Sequence, residues 1–146
     1  MRHLIHRALP VMAALTFASL ATAQEPPPPA AGATGVTAPE VHVGTGVTNH
    51  AIDGEATTFS KATTHRVFVL VKLGNSTGAE GTVTVAVERP GQASHGGGVS
   101  LQYPAARRYT TYARIPITNR AAGHYRAVVR DSTGAELGAA EFDVTD

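Results

Sequence analysis

The sequence predicts an all-β domain, an immunoglobulin-like antiparallel β-sandwich of about seven strands, preceded by a signal peptide and a Pro-rich linker. Three observations lead there. From Pro39 onward apolar residues recur with a period of two rather than 3.6. The apolar runs are short and are separated by Gly, Asn, Pro and Ser clusters, at "GNSTGAEG" and "RPGQASHGGG". No window supports a long amphipathic helix. A small closed barrel is the alternative that meets the same observations.

The N-terminal segment "MRHLIHRALPVMAALTFASLATAQ" has a basic start at Arg2 and Arg7, an apolar run from Ala8 to Leu20, and small residues at Ala21-Thr22-Ala23. That order reads as a cleavable secretory signal over residues 1–23. The run is shorter than the roughly 20 apolar residues a bilayer core demands. The expectation is an exported protein, periplasmic or extracellular, whose mature chain starts at Gln24. Residues 24–38, "QEPPPPAAGATGVTA", hold four consecutive prolines and then small residues that build no core, so they read as a disordered Pro/Ala-rich linker. Residues 39–146 are left as one domain, without a visible internal repeat.

Within that domain "VHVGTGV" sets Val41, Val43, Thr45 and Val47 against His42, Gly44 and Gly46. Residues 51–64, "AIDGEATTFSKATT", read either as a long loop or as a short strand anchored by Phe59. "RVFVLVKL" puts Val67, Val69, Val71 and Leu73 on one face and Phe68 and Leu70 on the other, which marks a central strand. "TVTVAVE" and "VSLQY" alternate as half-buried strands. "RYTTYARIPI" turns Tyr109, Thr111, Ala113, Ile115 and Ile117 one way and Arg108, Thr110, Tyr112 and Arg114 the other.

The closing stretch, "HYRAVVRDSTGAELGAAEFDV", reads as a hairpin around Ser132-Thr133-Gly134, with Gly134 in the left-handed position. Arg130 then faces Glu136 and Val129 faces Leu137. The apolar phase slips afterwards, because Phe142 and Val144 are even-numbered and Leu137 is odd. One β-bulge at Gly138–Ala140 repairs the slip and sets Arg126 opposite Glu141, Tyr125 opposite Phe142 and His124 opposite Asp143. The even spacing of charges is thus that of a paired hairpin, worth roughly 0.2–1 kcal/mol per opposite-charge pair.

The segments "VTNHAIDGEATTF", "HRVFVLVKLGNSTG", "GGGVSLQYPAARRYTTYARI" and "AAGHYRAVVRDSTGAELGAAEFDV" together resemble a family of bacterial envelope domains of unknown function. In that family a strand ending in an aromatic-Arg segment precedes a G-x-[YW]-x-[AV]-x-V-x-D-x-x-G-x-x-L hairpin and a final F-x-V. The resemblance spans nearly all of residues 40–144 and implies an exported domain with an immunoglobulin-like fold. It brings no catalytic residues that could be carried over.

Composition narrows the chemistry. Without residues 1–23 the chain keeps 123 residues, ten basic and eleven acidic, and no Cys. That length builds one core without disulfides, and the balance of charge gives no reason to expect a nucleic-acid partner. His42, His50, His65, His95 and His124 show no i, i+2 pair and no H-E-x-x-H spacing, so neither metal nor cofactor is expected. Ser94-His95 precedes three glycines but lacks a nucleophile elbow, and neighbours on a strand point to opposite faces. No Lys-Ser/Thr follows the glycines, so they are not a phosphate loop. Asp53-Gly54-Glu55 lacks EF-hand spacing. Asn75-Ser76-Thr77 matches the N-glycosylation acceptor pattern. The expectation is a non-enzyme that does not span a membrane and works as a binding or accessory structural module. The alternative is a small secreted hydrolase or metal-binding protein with a site assembled from loop His residues.

One feature rises above this background. Between Glu88 and Asp131 there is no acid, yet there are seven arginines, at 89, 107, 108, 114, 120, 126 and 130, and all four tyrosines of the chain. With Arg126 and Arg130 assigned to the hairpin, Arg108, Tyr112 and Arg114 form a basic stripe with an aromatic inside it. Guanidinium forks beside a Tyr face suit an anionic envelope polymer or an acidic protein partner. The bland reading of the same stripe is a solvated face on which arginines discourage edge-to-edge pairing.

Overall fold

Residues 66–75 carry Val67, Val69 and Val71 on one face and Phe68 and Leu70 on the other, and that stretch is the centre of the first sheet. The computed structural model describes residues 34–92 and 97–146. Among them the strands are β1 (Val36–Gly44), β2 (Gly46–Thr48), β3 (Ala51–Asp53), β4 (Thr58–Ser60), β5 (Arg66–Asn75), β6 (Gly81–Glu88), β7 (Val99–Tyr103), β8 (Arg108–Pro116), β9 (Gly123–Arg130) and β10 (Glu136–Thr145), with no helix. A three-stranded sheet runs β1-β5-β8, a five-stranded sheet runs β4-β10-β9-β6-β7, and β2-β3 form a separate hairpin. The inner faces of both large sheets feed one hydrophobic core, in which Val67, Val69 and Val71 meet Val83, Val85, Val129 and Phe142. The arrangement is all-β and fits a sandwich. Each fully buried valine contributes about 1.5 kcal/mol or more.

Seven of these strands are the seven expected, and three short ones come in addition. The "VHVGTGV" run breaks at Thr45, whose N–H donates to the Asp53 carbonyl at 2.9 Å as the chain folds back on itself. The fold-back needs a glycine at 44, because a Cβ there would lie 2.5 Å from Asp53 O. The turn between β2 and β3 holds Asn49 and His50 at φ 52° and 62°, the doubly left-handed geometry of a two-residue type I′ hairpin. Phe59 does anchor a strand: it is 2 % exposed and packs edge-on against Phe142 at 5.9 Å. That strand, β4, joins β10 in parallel, so the pairing is not purely antiparallel. A strand of three residues carries no periodicity from which a direction could be read.

Strand β1 begins at Val36, ahead of the Pro39 boundary, and Val36 and Ala38 are each 1 % exposed in the core. The closing hairpin keeps Glu136 opposite Arg130 and, further on, Glu141 opposite Arg126, Phe142 opposite Tyr125 and Asp143 opposite His124. The slip falls between Glu136 and Gly138, so Leu137 is the extra residue and Val129 faces Gly138 instead of Leu137. The bulge sits earlier than Gly138–Ala140 because Gly138 lies against β1, where a Cβ would come 2.4 Å from the Ala38 carbonyl oxygen. Leu137, displaced by the bulge, is fully buried.

A repeat hidden in the sequence appears in the loops. Asn75-Ser-Thr-Gly-Ala-Glu80 and Asp131-Ser-Thr-Gly-Ala-Glu136 agree at five of six positions. Each opens with a buried Asx whose Oδ1 collects the Thr hydroxyl at +2, at 2.8 Å from Thr77 and 2.6 Å from Thr133. Each Oδ1 also accepts the backbone N–H of that Thr. Each then uses a left-handed glycine, Gly78 at φ 67° and Gly134 at φ 86°. The two loops grip the first described residues from both sides. Thr34 Oγ1 donates to Asp131 Oδ2, and Ser76 donates from N and Oγ to the Gly35 carbonyl at 3.0 and 2.8 Å.

Candidate binding face

The outward face of the three-stranded sheet is set by register. β8 pairs with β5 so that Arg108, Thr110, Tyr112 and Arg114 stand beside Gly74, Lys72, Leu70 and Phe68. Inward, Ala113, Ile115 and Ile117 are buried, which fixes the phase and leaves Arg108, Tyr112 and Arg114 exposed. Tyr112 is 40 % exposed. Leu70 is 2 % exposed although it lies outside the main core cluster, and Tyr112 and His42 flank it across the strands. Arg114 extends over two rings, with its guanidinium carbon 5.7 Å from the Phe68 centroid and 5.8 Å from that of Tyr112. Such stacking holds the guanidinium plane still while its edges remain free for hydrogen bonding.

The seven arginines divide by what they touch. Arg130 chelates Glu88, with Nη2 at 3.2 Å from Oε2 and Nη1 on Oε1. This replaces the expected pair with Glu136, which Arg126 takes instead at 2.8 Å while keeping Glu141 at 3.8 Å. β9 lies between β10 and β6, and Glu88 on β6 stands beside Arg126, two outward positions along from Arg130. Arg89 reaches the Ala121 and Ala122 carbonyls and the Tyr125 hydroxyl. Arg120 lies over the Tyr125 ring and donates to the Pro116 carbonyl. Among the described residues no carboxylate lies within 4 Å of Arg107, Arg108 or Arg114, nor of Arg66 on β5.

Arg66 is the residue that sequence reasoning missed. It follows the outward phase of Phe68 and stands opposite Pro116, one outward position along from the Arg114–Phe68 pair. The signal was its place two residues before Phe68, and the β5–β8 register was needed to use it. Arg66 and Arg114 line one shallow depression of about 280 Å³ together with His65, Pro116 and Thr118, without an acid. At the other end of β8, Arg108 lines a depression of about 430 Å³ that also contains Glu40 and Lys72, themselves ion-paired at 2.5 Å.

The other candidates separate. His42 bridges Glu55 at 2.6 Å and Glu40 at 3.4 Å, and the Glu55 hydrogen bond in particular raises its pKa above the ordinary imidazole value. His124 bridges Asp143 at 2.8 Å and Glu141 at 3.5 Å and is raised likewise, chiefly by Asp143. His50 sits in the β2–β3 turn and His65 just before β5. Ser94 and His95 lie outside the described residues. Among the described residues no group of three His, Cys, Asp or Glu could hold a metal ion. Asp53 and Glu55 turn to different partners, Thr48 and His42. Asn75 is 4 % exposed and its Nδ2 donates to the Ala79 carbonyl at 2.6 Å, so its amide is not presented to a glycosylating enzyme. No helix of the described residues is long and apolar enough to cross a membrane.

No family model matches the chain, and no curated protein matches it.

Proposed function

We propose that this chain is an exported, non-catalytic module of the bacterial cell envelope, an immunoglobulin-like sandwich that binds an anionic partner through Arg108, Tyr112 and Arg114. The reading of residues 1–23 as a removable signal supports export to the periplasm or the outside. The resemblance of residues 40–144 to envelope domains supports the setting. The observation that carries the binding role is that, among the described residues, no carboxylate lies within 4 Å of Arg108 or Arg114, while Arg126 and Arg130 on the other sheet are neutralised. An unneutralised guanidinium on a rigid strand gains a charge-assisted, forked hydrogen bond on meeting a carboxylate, sulfate or phosphate. The contact is exposed and screened over about 8 Å at physiological salt, so affinity falls as salt rises.

The test is binding of the mature protein to immobilised polyanion across a salt series, with Arg108→Ser/Arg114→Ser compared with the parent. Salt-sensitive binding that the double change weakens, with the melting temperature kept, supports the role. Binding insensitive both to salt and to the double change rejects it. Intact mass of the secreted protein checks export, and retention of residues 1–23 in that material rejects the signal.

A further inference from the structure

Two cations six residues apart on one strand are separated by about 20 Å, at roughly 3.3 Å per residue. Arg108 and Arg114 have that spacing, so no single small anion bridges them. Resting on the binding role above, we infer that the ligand is a linear polyanion lying along β8, whose primary anchor is the Arg66–Arg114 pair and whose second contact is Arg108. Diagonal neighbours on one face of a sheet stand about 7–8 Å apart. That separation lets two guanidinium groups converge on one anionic group. Arg66 and Arg114 share a depression free of acids, and ring stacking on Phe68 and Tyr112 holds Arg114 in place. Arg108 is the weaker contact because Glu40 lines its depression and repels an incoming anion, even though Lys72 partly offsets it.

A folded acidic protein is the poorer fit. A stable protein interface covers about 800 Å² per partner around an apolar centre. On this face Tyr112 is the one exposed large hydrophobic residue among those described. A flexible chain needs only the spaced cations and the ring between them. The anchor also lies at the opposite end of β5 from Asn75, beside which Gly35 enters the domain. A ten-residue strand of about 33 Å therefore separates the anchor from the point where Gly35 enters the domain.

The test uses labelled octaglutamate and triglutamate, which span about 27 and 10 Å when extended. Arg66→Ser and Arg114→Ser should each weaken octaglutamate binding about tenfold, the loss of one charge-assisted contact. Arg108→Ser should weaken octaglutamate by a smaller factor and leave triglutamate unchanged, because triglutamate cannot reach both subsites. Circular dichroism and melting temperature establish that each variant is folded. If Arg66→Ser binds both peptides as tightly as the parent while Arg108→Ser/Arg114→Ser is weakened, the anchor is refuted and the binding face stands. If octaglutamate does not bind at low salt, or no variant alters its binding, both fall. Competition by dextran sulfate against polygalacturonate separates sulfate from carboxylate, and displacement by either supports a linear polyanion.

Discussion

The Thr34 hydroxyl donates to Asp131 Oδ2 at 3.1 Å across 97 residues of sequence, tying the first described turn to the final hairpin. Oδ1 of the same carboxylate accepts the Thr133 and Ala135 amides at 2.9 and 3.0 Å and the Thr133 hydroxyl at 2.6 Å. Asp131 is 5 % exposed and fully used.

Asp131→Ala should therefore cost about 2 kcal/mol, since it removes several part-buried hydrogen bonds at once. Asp131→Asn should cost less, because Asn75 closes the twin loop with an amide and an unchanged Oδ1 role. The Thr133 hydroxyl, more than any other group, holds the Asp131 carboxyl below the ordinary carboxylate range. A depressed acid gives stability that is present above its unfolded pKa, about 3.9, and lost as pH falls through its folded value. Urea denaturation from pH 6 down to pH 3 reads both effects. A parent and an Asp131→Asn variant that lose stability in parallel on acidification contradict the assignment.

How far the sequence could see depended on distance along the chain. β5 and β8 were legible because period-two alternation over eight or more residues states which side faces the core. The hairpin register beyond the bulge was legible because a short loop brings its own partners together. Glu88 as the partner of Arg130 was not legible, because the two residues lie 42 positions apart in sequence, on strands that no short loop joins. For β4 the sequence left a short strand anchored by Phe59 and a long loop both open, because a three-residue parallel strand leaves no pattern that decides between them. At the candidate face, Arg108, Tyr112 and Arg114 followed from the phase of one strand. Arg66 required the register between two strands, which no alternation encodes.

His42 and His124 set the neutral limb of the pH profile. His42 faces Glu55 and Glu40, the second of which it shares with Lys72, and His124 faces Asp143 and Glu141. Both imidazoles are raised by these carboxylates. A raised His gives stability fully present below its unfolded pKa, about 6.5, and lost as pH climbs through its folded value. The parent should melt a few degrees lower at pH 8.5 than at pH 6. His42→Gln/His124→Gln should remove most of that difference. A parent melting temperature that does not drop over the interval contradicts the account.

At Gly138 β10 passes close against β1. A Cβ there would lie 2.4 Å from the Ala38 carbonyl oxygen and 3.2 Å from Val41 Cγ2, and the first of these is backbone that cannot swing away. Gly138→Ala should cost about 2–3 kcal/mol, in the range of core overpacking. A Cβ at Gly97 meets nothing within 4 Å among the described residues, so Gly97→Ala serves as the control. Equal midpoints of chemical denaturation for the two variants would mean that the sheets do not approach as described.

The last prediction concerns the choice Arg130 makes between two acids. Glu136 is its cross-strand neighbour on β10, yet the guanidinium turns to Glu88 on β6 and engages both carboxylate oxygens. Burial explains the preference. The Glu88 side chain is 12 % exposed and Arg130 30 %, whereas Glu136 is 42 % exposed and already receives Arg126 at 2.8 Å. A forked pair at a partly desolvated position is stronger than a single contact at the rim, where water competes with it. Double-mutant cycles with Arg130→Met should give a coupling of about 1–2 kcal/mol with Glu88→Gln and nearly none with Glu136→Gln. Arg126→Met with Glu136→Gln should fall between, at roughly 0.2–1 kcal/mol. The same cycles tell the two pairings apart. If Arg130 couples to Glu136 more strongly than to Glu88, the nearest-neighbour pairing of the hairpin is the correct one and the link between β6 and β9 is not made by this charge.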